Sequence, residues 1–337
     1  SLMQKPVDHP PIPPARIGVL IVNLGSPDAP TPVAVRRYLK EFLSDPRVVE
    51  IPPLLWQPVL RGIVLNTRPR KSAHAYRQVW TDEGSPLTVI TRRQAEAVQA
   101  ALGPGVTVDW AMRYGAPAIG AKLRAMKEAG CDRVLLAPLY PQYSGATTAT
   151  ALDAAGDALK AMRWQPALRT LPPYHDDPAH IGALTDSIRS SLAALPFAPQ
   201  SLVASFHSMP ERTLRLGDPY HCHCRATARL LSESLGRELT VSFQSRLGRA
   251  KWLEPATDTT LAALASKGVK SVAVVAPGFA ADNLETLEEI AIRGRETFLK
   301  GGGEHFAYLP CLNDSAPGIE MLATLLSREL AGWRTAS

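Results

Sequence analysis

The sequence predicts an α/β protein made of two doubly wound domains with parallel sheets. Three observations lead there. Apolar runs of strand length alternate with helix-like stretches: "RIGVLIVNLGSP" (16–27), "DRVLLAPLY" (132–140), "SLVASFHSMP" (201–210) and "KSVAVVAPGF" (270–279). Near-continuous apolar strands of this kind belong to parallel sheets covered on both faces. In addition, "VTVDWAMRYG" (106–115) aligns without gaps on "LTVSFQSRLG" (239–248), sharing Thr, Val, Arg and Gly and setting Arg113 opposite Arg246. The paired elements also keep the same order, so each half reads strand, long connection, strand, helix, strand.

A chain of 337 residues with 45% hydrophobic and 20% charged residues can fill two such cores. The first domain is expected over 15–178 with a final helix, about 315–337, returning to it. The second is expected over 179–314, and "PPYHDDPAH" (172–180) reads as the linker. Net charge is +6 and dispersed, which suits an acidic substrate or an anionic membrane surface. The densest basic run is "RPRK" (68–71), with no aromatic–basic ladder, so nucleic acid is not expected. Neither G-x-G-x-x-G nor G-x-x-x-x-G-K-[ST] occurs, which disfavours a dinucleotide or nucleotide enzyme. Four cysteines (131, 222, 224, 311) make no disulfide framework in a chain this long and point to a reducing compartment. The opening residues hold no apolar signal core and no run approaches a membrane span. A cytoplasmic protein is expected, with Ser1-Leu2 ahead of Met3 read as an added remnant.

In open α/β sheets ligands sit beyond the carboxyl ends of the strands, so the strand tips are where chemistry is sought. The first-half tips give "WAMRYGAP" (110–117) and "LAPLYPQYSGATTAT" (136–150). Their hydroxyls and aromatic rings offer donors and a flat wall. Arg113 suits either a bidentate carboxylate contact or an inter-domain ion pair. The segment "VVEIPPLLWQPVLRGIVLNTRPRK" (48–71) is apolar, Pro-punctuated and followed by basic residues, which fits a lip resting on a membrane surface or ordinary packing. In the second half a strand ends at His207. Ser208 and Glu211 then have capping-box spacing, placing the imidazole beside a helix N-terminus that favours the neutral ring. Asp282 and Glu285 have the same spacing, so Glu285 is either a cap residue or a site carboxylate. Glu285, Glu288 and Glu289 gather carboxylates on one helical side, with Leu284 and Leu287 expected on the buried face.

Taken jointly, "GVLIVNLGSPDAP", "LYPQYSGATT", "FHSMPERTLRLGDPY", "FQSRLGRAKWLEPATD" and "PGFAADNLETLEEIAIRGRE" resemble the ferrochelatases over about residues 16–325. These enzymes insert ferrous iron into a porphyrin in haem biosynthesis. The resemblance implies two Rossmann-like domains around a porphyrin cleft and insertion of Fe²⁺ into protoporphyrin IX. It implies His207 as the active-site histidine and Glu285 as its partner, either holding metal or taking a proton. Arg113, Tyr114, Tyr140, Tyr143, Ser144, Trp252 and Phe279 match substrate-binding positions, and 48–71 matches a membrane-associated lip. Iron is a substrate, so no resident cofactor is required.

Animal members carry a histidine where this chain has Asn283, and some members continue a carboxylate line where it has Arg293. Glu288 or Glu289 remain for a proton or metal path. Some ferrochelatases bind a [2Fe–2S] cluster on four thiolates. Most come, in animal forms, from a C-terminal extension that does not occur in this sequence, and their internal cysteine is replaced by Gly145-Ala146. A cluster is therefore not expected here, although "HCHC" (221–224) has a metal-site composition. The rival readings are a cobalt chelatase of the same fold and a non-catalytic haem or porphyrin binder.

Overall fold

In the computed structural model, which describes residues 5–334, eight strands form two four-stranded sheets, and every pairing is parallel. The first sheet contains β1 (Arg16–Asn23), β2 (Thr107–Met112), β3 (Cys131–Pro138) and β4 (Ala167–Thr170), ordered β2-β1-β3-β4. The second contains β5 (Ser201–His207), β6 (Leu239–Gln244), β7 (Ser271–Val275) and β8 (His305–Tyr308), ordered β6-β5-β7-β8. The two halves thus repeat one topology. Each has a fourth strand beyond the expected three, because "ALRT" and "HFAY" are too short to stand out as apolar runs. Residues 1–4, including the Ser1-Leu2 expected to be an added remnant, and residues 335–337 lie outside the described residues.

Helices α1 (Pro32–Leu43), α2 (Pro53–Val59), α3 (Leu65–Val79), α4 (Pro86–Leu102), α5 (Ile119–Glu128) and α6 (Thr150–Lys160) belong to the first half. The second half carries α7 (Pro178–Ala193), α8 (Glu211–Arg215), α9 (Tyr220–Leu235), α10 (Thr257–Ser266) and α11 (Arg295–Lys300), and α12 (Ala316–Glu329) closes the chain.

Side chains alternate across a strand, so a strand buried on both faces feeds two cores. On β1, Val19 and Ile21 enter one core while Leu20 and Val22 enter another. On β5, Leu202, Ala204 and Phe206 point one way and Val203 the other. The core reached by Val19, Ile21, Leu202 and Phe206 is common to both halves. Helix α12 seals it with Leu322, Leu325 and Leu326, lying against both α4 and α7 rather than on the first half alone. The expected linker is shorter than its composition suggests. Asp177 caps α7 through the Ala179 N–H, and His180, inside that helix, is buried.

Gly25 follows β1 with φ +116°, and a Cβ there would overlap the Tyr114 carbonyl oxygen. Gly25→Ala should therefore lower stability by roughly 1–3 kcal/mol from backbone strain alone, with more from the collision. Urea unfolding checks this; an unchanged midpoint would show that the turn relaxes freely.

Candidate active site

His207 closes β5, in register with Gln244 of β6. One more bond to β6 follows, from the Ser208 N–H to the Gln244 carbonyl at 2.6 Å, and Pro210, which has no N–H to give, stops further pairing with β6. Two bonds fix the histidine. Its Nδ1 lies 2.6 Å from the Ser208 carbonyl, and its own carbonyl accepts the Tyr220 hydroxyl at 2.8 Å. A carbonyl only accepts, so Nδ1 carries a proton, and in the neutral form of the ring the lone pair is on Nε2.

The expected Ser208–Glu211 capping box does not form. Ser208 donates to the Leu253 carbonyl at 3.2 Å, and Glu211 pairs with Arg215 at 2.6 Å and Lys251 at 3.0 Å. Helix α8 is one short turn without a side-chain cap. The Ser208 carbonyl, not a helix terminus, orders the ring.

Glu285 opens a π-helical stretch, Glu285–Gly294. Asn283, not Asp282, caps it: its Oδ1 accepts the N–H groups of Glu285 at 3.0 Å and Thr286 at 3.2 Å. The reciprocal bond comes from Thr286, whose hydroxyl takes the Asn283 N–H at 3.0 Å. Asp282 is turned inward to the Tyr308 hydroxyl at 2.6 Å and the Asn313 amide at 2.8 Å. The Glu285 side chain is thereby released from capping. Burial raises its pKa above the ordinary carboxyl value; positive charge on His207 opposes that rise, and Glu289 and Glu288 add to it. His207 and Glu285 thus lie within electrostatic reach of each other.

The carboxylate row expected on an α-helix splits here, because π geometry bonds i to i+5. Glu289 accepts the Ser245 N–H at 2.8 Å and the Ser245 hydroxyl, whereas Glu288 pairs with Arg293 at 2.9 Å. The buried face is Thr286, Ile290 and Gly294; Leu284 and Leu287 are only half-buried.

The first-half residues divide by exposure. Tyr114 is fully buried, its hydroxyl donating to Asp45 at 2.5 Å. Arg113 stacks on the Tyr114 ring, 4.5 Å from its centroid, pairs with Asp45 at 3.2 Å and donates to Thr150. That ion pair lies within the first half, not between halves. Burial alone would raise the Asp45 pKa, but bonds from Thr150, Tyr114 and the Arg47 N–H, with the Arg113 charge, bring it below the ordinary value. Ser144 is buried too, and its oxygen accepts the Ala146 N–H at 3.2 Å as a helix cap, not as a substrate donor.

Tyr140, Tyr143, Trp252 and Phe279 are half-buried. The Tyr140 hydroxyl and the Trp252 indole N–H are enclosed without a protein partner. Phe279 borders a cavity of about 10 Å³ between the halves. Tyr38 and Tyr76, which the sequence reading did not single out, are buried, with hydroxyl pKa values raised by burial and by the Glu285 charge among other neighbours. They sit on amphipathic helices, where a tyrosine looks like any core residue.

The ferrochelatase family model matches residues 16–330. The chain belongs to the ferrochelatase family. Relatives named ferrochelatase include one from Agrobacterium fabrum, 52% identical over 99% of each chain, and one from Rhizobium meliloti, 53% identical over 98% of this chain and all of its own. A third, from Azoarcus, is 54% identical over 96% of this chain and 90% of its own. Among solved structures, SirB from Bacillus subtilis with Fe³⁺ superposes with a TM-score of 0.57 at 12% identity, covering 94% of this chain and 97% of its own. CbiX, described as the terminal enzyme of sirohaem biosynthesis in denitrifying bacteria, scores 0.52 at 15% identity, covering 94% of this chain and all of its own. Those two likenesses concern the fold, two parallel sheets of chelatase type.

In this ferrochelatase-family chain Asn283 works as the cap that orients the Glu285 backbone. The "HCHC" run is dispersed by helix α9. Cys224 is buried, Cys222 exposed, His221 stacks on Phe243 and His223 stacks on His175. Cys131, Cys224 and Cys311 belong to three different hydrophobic clusters.

Asn283→Ala should cost about 1 kcal/mol as a lost cap and reduce turnover by unsettling Glu285. Urea midpoints and metallation rates measured together check this; loss of stability with full turnover would separate the cap from the site.

Proposed function

We propose that this chain inserts Fe²⁺ into protoporphyrin IX to form protohaem, with His207 and Glu285 as facing bases in the cleft. Metallation exchanges two pyrrole protons for one ferrous ion, so two protons must leave while the ion sheds water. The observation that supports the assignment is an imidazole ordered at a strand tip by the Ser208 carbonyl, within electrostatic reach of a carboxyl whose pKa is raised by burial. Each, unprotonated, takes a pyrrole proton or supplies a lone pair to the incoming iron. Arg113, Tyr140, Tyr143, Trp252 and Phe279 would position the macrocycle, with Tyr114 and Ser144 behind them. Glu289 and Glu288, both within electrostatic reach of Glu285, would offer a proton or metal path, with Glu288 held by Arg293.

His207→Ala should lower turnover by about 10²–10⁴-fold while leaving the fold intact, since a strand-tip side chain fills little core. Glu285 must be ionised to act as a base, and its pKa is raised. The rate should therefore fall as pH drops through a range above the ordinary carboxyl value, and Glu285→Gln should lose both the rate and that acid limb. Anaerobic spectra of protoporphyrin with Fe²⁺, or with Zn²⁺ as an oxygen-stable proxy, read this. Stoichiometric porphyrin binding without turnover in the parent protein would leave a carrier instead.

We also place the protein in the cytoplasm, peripherally on the inner membrane face. No helix among the described residues is long and apolar enough to cross a membrane. Along α2 and the π-turn after it, Leu54 is 91% exposed, Leu55 67% and Ile63 60%, with Arg61, Arg70 and Lys71 nearby. Apolar side chains rimmed by cations suit an anionic lipid surface. The double variant Leu54→Ser, Leu55→Ser should reduce co-sedimentation with anionic vesicles several-fold; unchanged co-sedimentation would reject the lip as a membrane contact.

A further inference from the structure

The "HCHC" run takes no part in the proposed chemistry, yet its helix touches both sides of the cleft. Helix α9 and Asp218, two residues before it, receive the first-half loop Gln142–Gly145 through three bonds. The Gln142 amide donates to the Thr227 hydroxyl at 3.0 Å, the Tyr143 N–H to His223 Nδ1 at 3.1 Å, and the Gly145 N–H to Asp218 Oδ2 at 2.8 Å. One turn earlier on α9, Tyr220 holds the His207 carbonyl. A single helix thus ties the loop bearing Tyr143 to the strand tip bearing His207.

We propose that His223 is a positioning residue whose unprotonated Nδ1 holds the Tyr143 loop in register with His207, so that protonating His223 releases the loop and lowers metallation. The reading rests on the ferrochelatase assignment for its effect on turnover, but not for the loop contact itself. Nδ1 accepts the Tyr143 N–H only while it carries no proton, which places the proton of the neutral ring on Nε2. An imidazolium has no acceptor, and the bond is lost on protonation.

The surroundings favour the neutral ring. The His175 ring stacks on His223 with centroids 3.6 Å apart and planes 8° from parallel, so charging both rings sets like charges face to face. Burial lowers the His223 pKa, His175 lowers it further, and Asp176 and Asp218 oppose. His175 is lowered as well, by burial, with Asp176 opposing. The groups facing His223 are therefore His175 and Asp176 from the chain before α7, Asp218 from the turn before α9, and Tyr143 from the loop it holds. Since the folded value lies below the ordinary one, the contact is intact above the usual imidazole range and is lost as pH falls through the lowered value.

Glu285 also titrates on the acid side, so a pH–rate curve alone does not isolate His223. Two substitutions and a structural readout do. Asparagine places an amide oxygen near the Nδ1 position and does not titrate; leucine keeps the bulk and has no acceptor. Amide hydrogen exchange of the peptide containing Tyr143, corrected for the intrinsic pH dependence of exchange, reports the loop in the intact protein with no substrate present. In the parent protein this peptide should lose protection on acidification. His223→Leu should lack protection at every pH and lose about tenfold in kcat/KM for protoporphyrin at neutral pH, the scale of one hydrogen bond. His223→Asn should restore protection throughout and recover most of that loss, leaving only the acid limb of Glu285. Protection in His223→Leu equal to the parent, or an acid-induced release that persists in His223→Asn, would overturn the proposal. A parent protein that releases the loop with acid but turns over no porphyrin would instead overturn the functional assignment and keep the contact.

Discussion

The site depends on a hydrophobic core that belongs to neither half alone. Val19, Ile21 and Leu135 from the first sheet meet Leu202, Ala204 and Phe206 from the second, and α12 closes the joint. Close packing makes such a core resist sliding. Parallel pairing adds the second condition, because all strands of a sheet deliver their carboxyl ends to one edge. A rigid joint between two such sheets fixes two rows of strand tips relative to each other. His207 from one half and the Gln142–Gly145 loop from the other are placed by that constraint, and the polar bonds at their interface trim the fit.

The polar contacts show how it is trimmed. Gly278, in the turn after β7, leaves room for Gln142 to reach across: a Cβ there would meet the Gln142 amide oxygen at 3.2 Å and the Phe206 ring at 3.1 Å. Gln142, Thr227 and the His175 carbonyl then form a chain of bonds running back to the connection before α7. Buried polar groups have to find partners inside the protein, and here the partners come from opposite halves. Satisfying them fixes the cleft width as a by-product.

The sequence made the parallel architecture legible because strands buried on both faces leave long apolar runs, and β1, β3, β5 and β7 are the central strands. The edge strands β4 and β8 left only four-residue traces. His207 was legible as a strand tip, and Glu285 as a residue at a helix start. Their neighbours were not. Capping-box spacing is a local rule, and it pointed to Ser208 and Asp282, whose oxygens are spent on Leu253 and Tyr308. Tyr114 and Ser144 fell in the right segments, but burial is set by packing from α1 and α6, which a motif does not encode. The π stretch had no sequence signal at all.

That stretch bears directly on how the three carboxyls are kept apart. On a regular α-helix Glu285, Glu288 and Glu289 would crowd one side, and like charges at such spacings repel. Three desolvated carboxyls together would hold protons or attract a hard cation, and none would serve as a simple base. The wider π turn, the Ser245 donors on Glu289 and the Arg293 partner of Glu288 draw the outer two away. π-helical insertions cost regular bonding and collect at functional sites. Here the outer two carboxylates have partners of their own, while burial raises the Glu285 pKa, charge on His207 opposes that rise, and Glu289 and Glu288 act only as nearby charges.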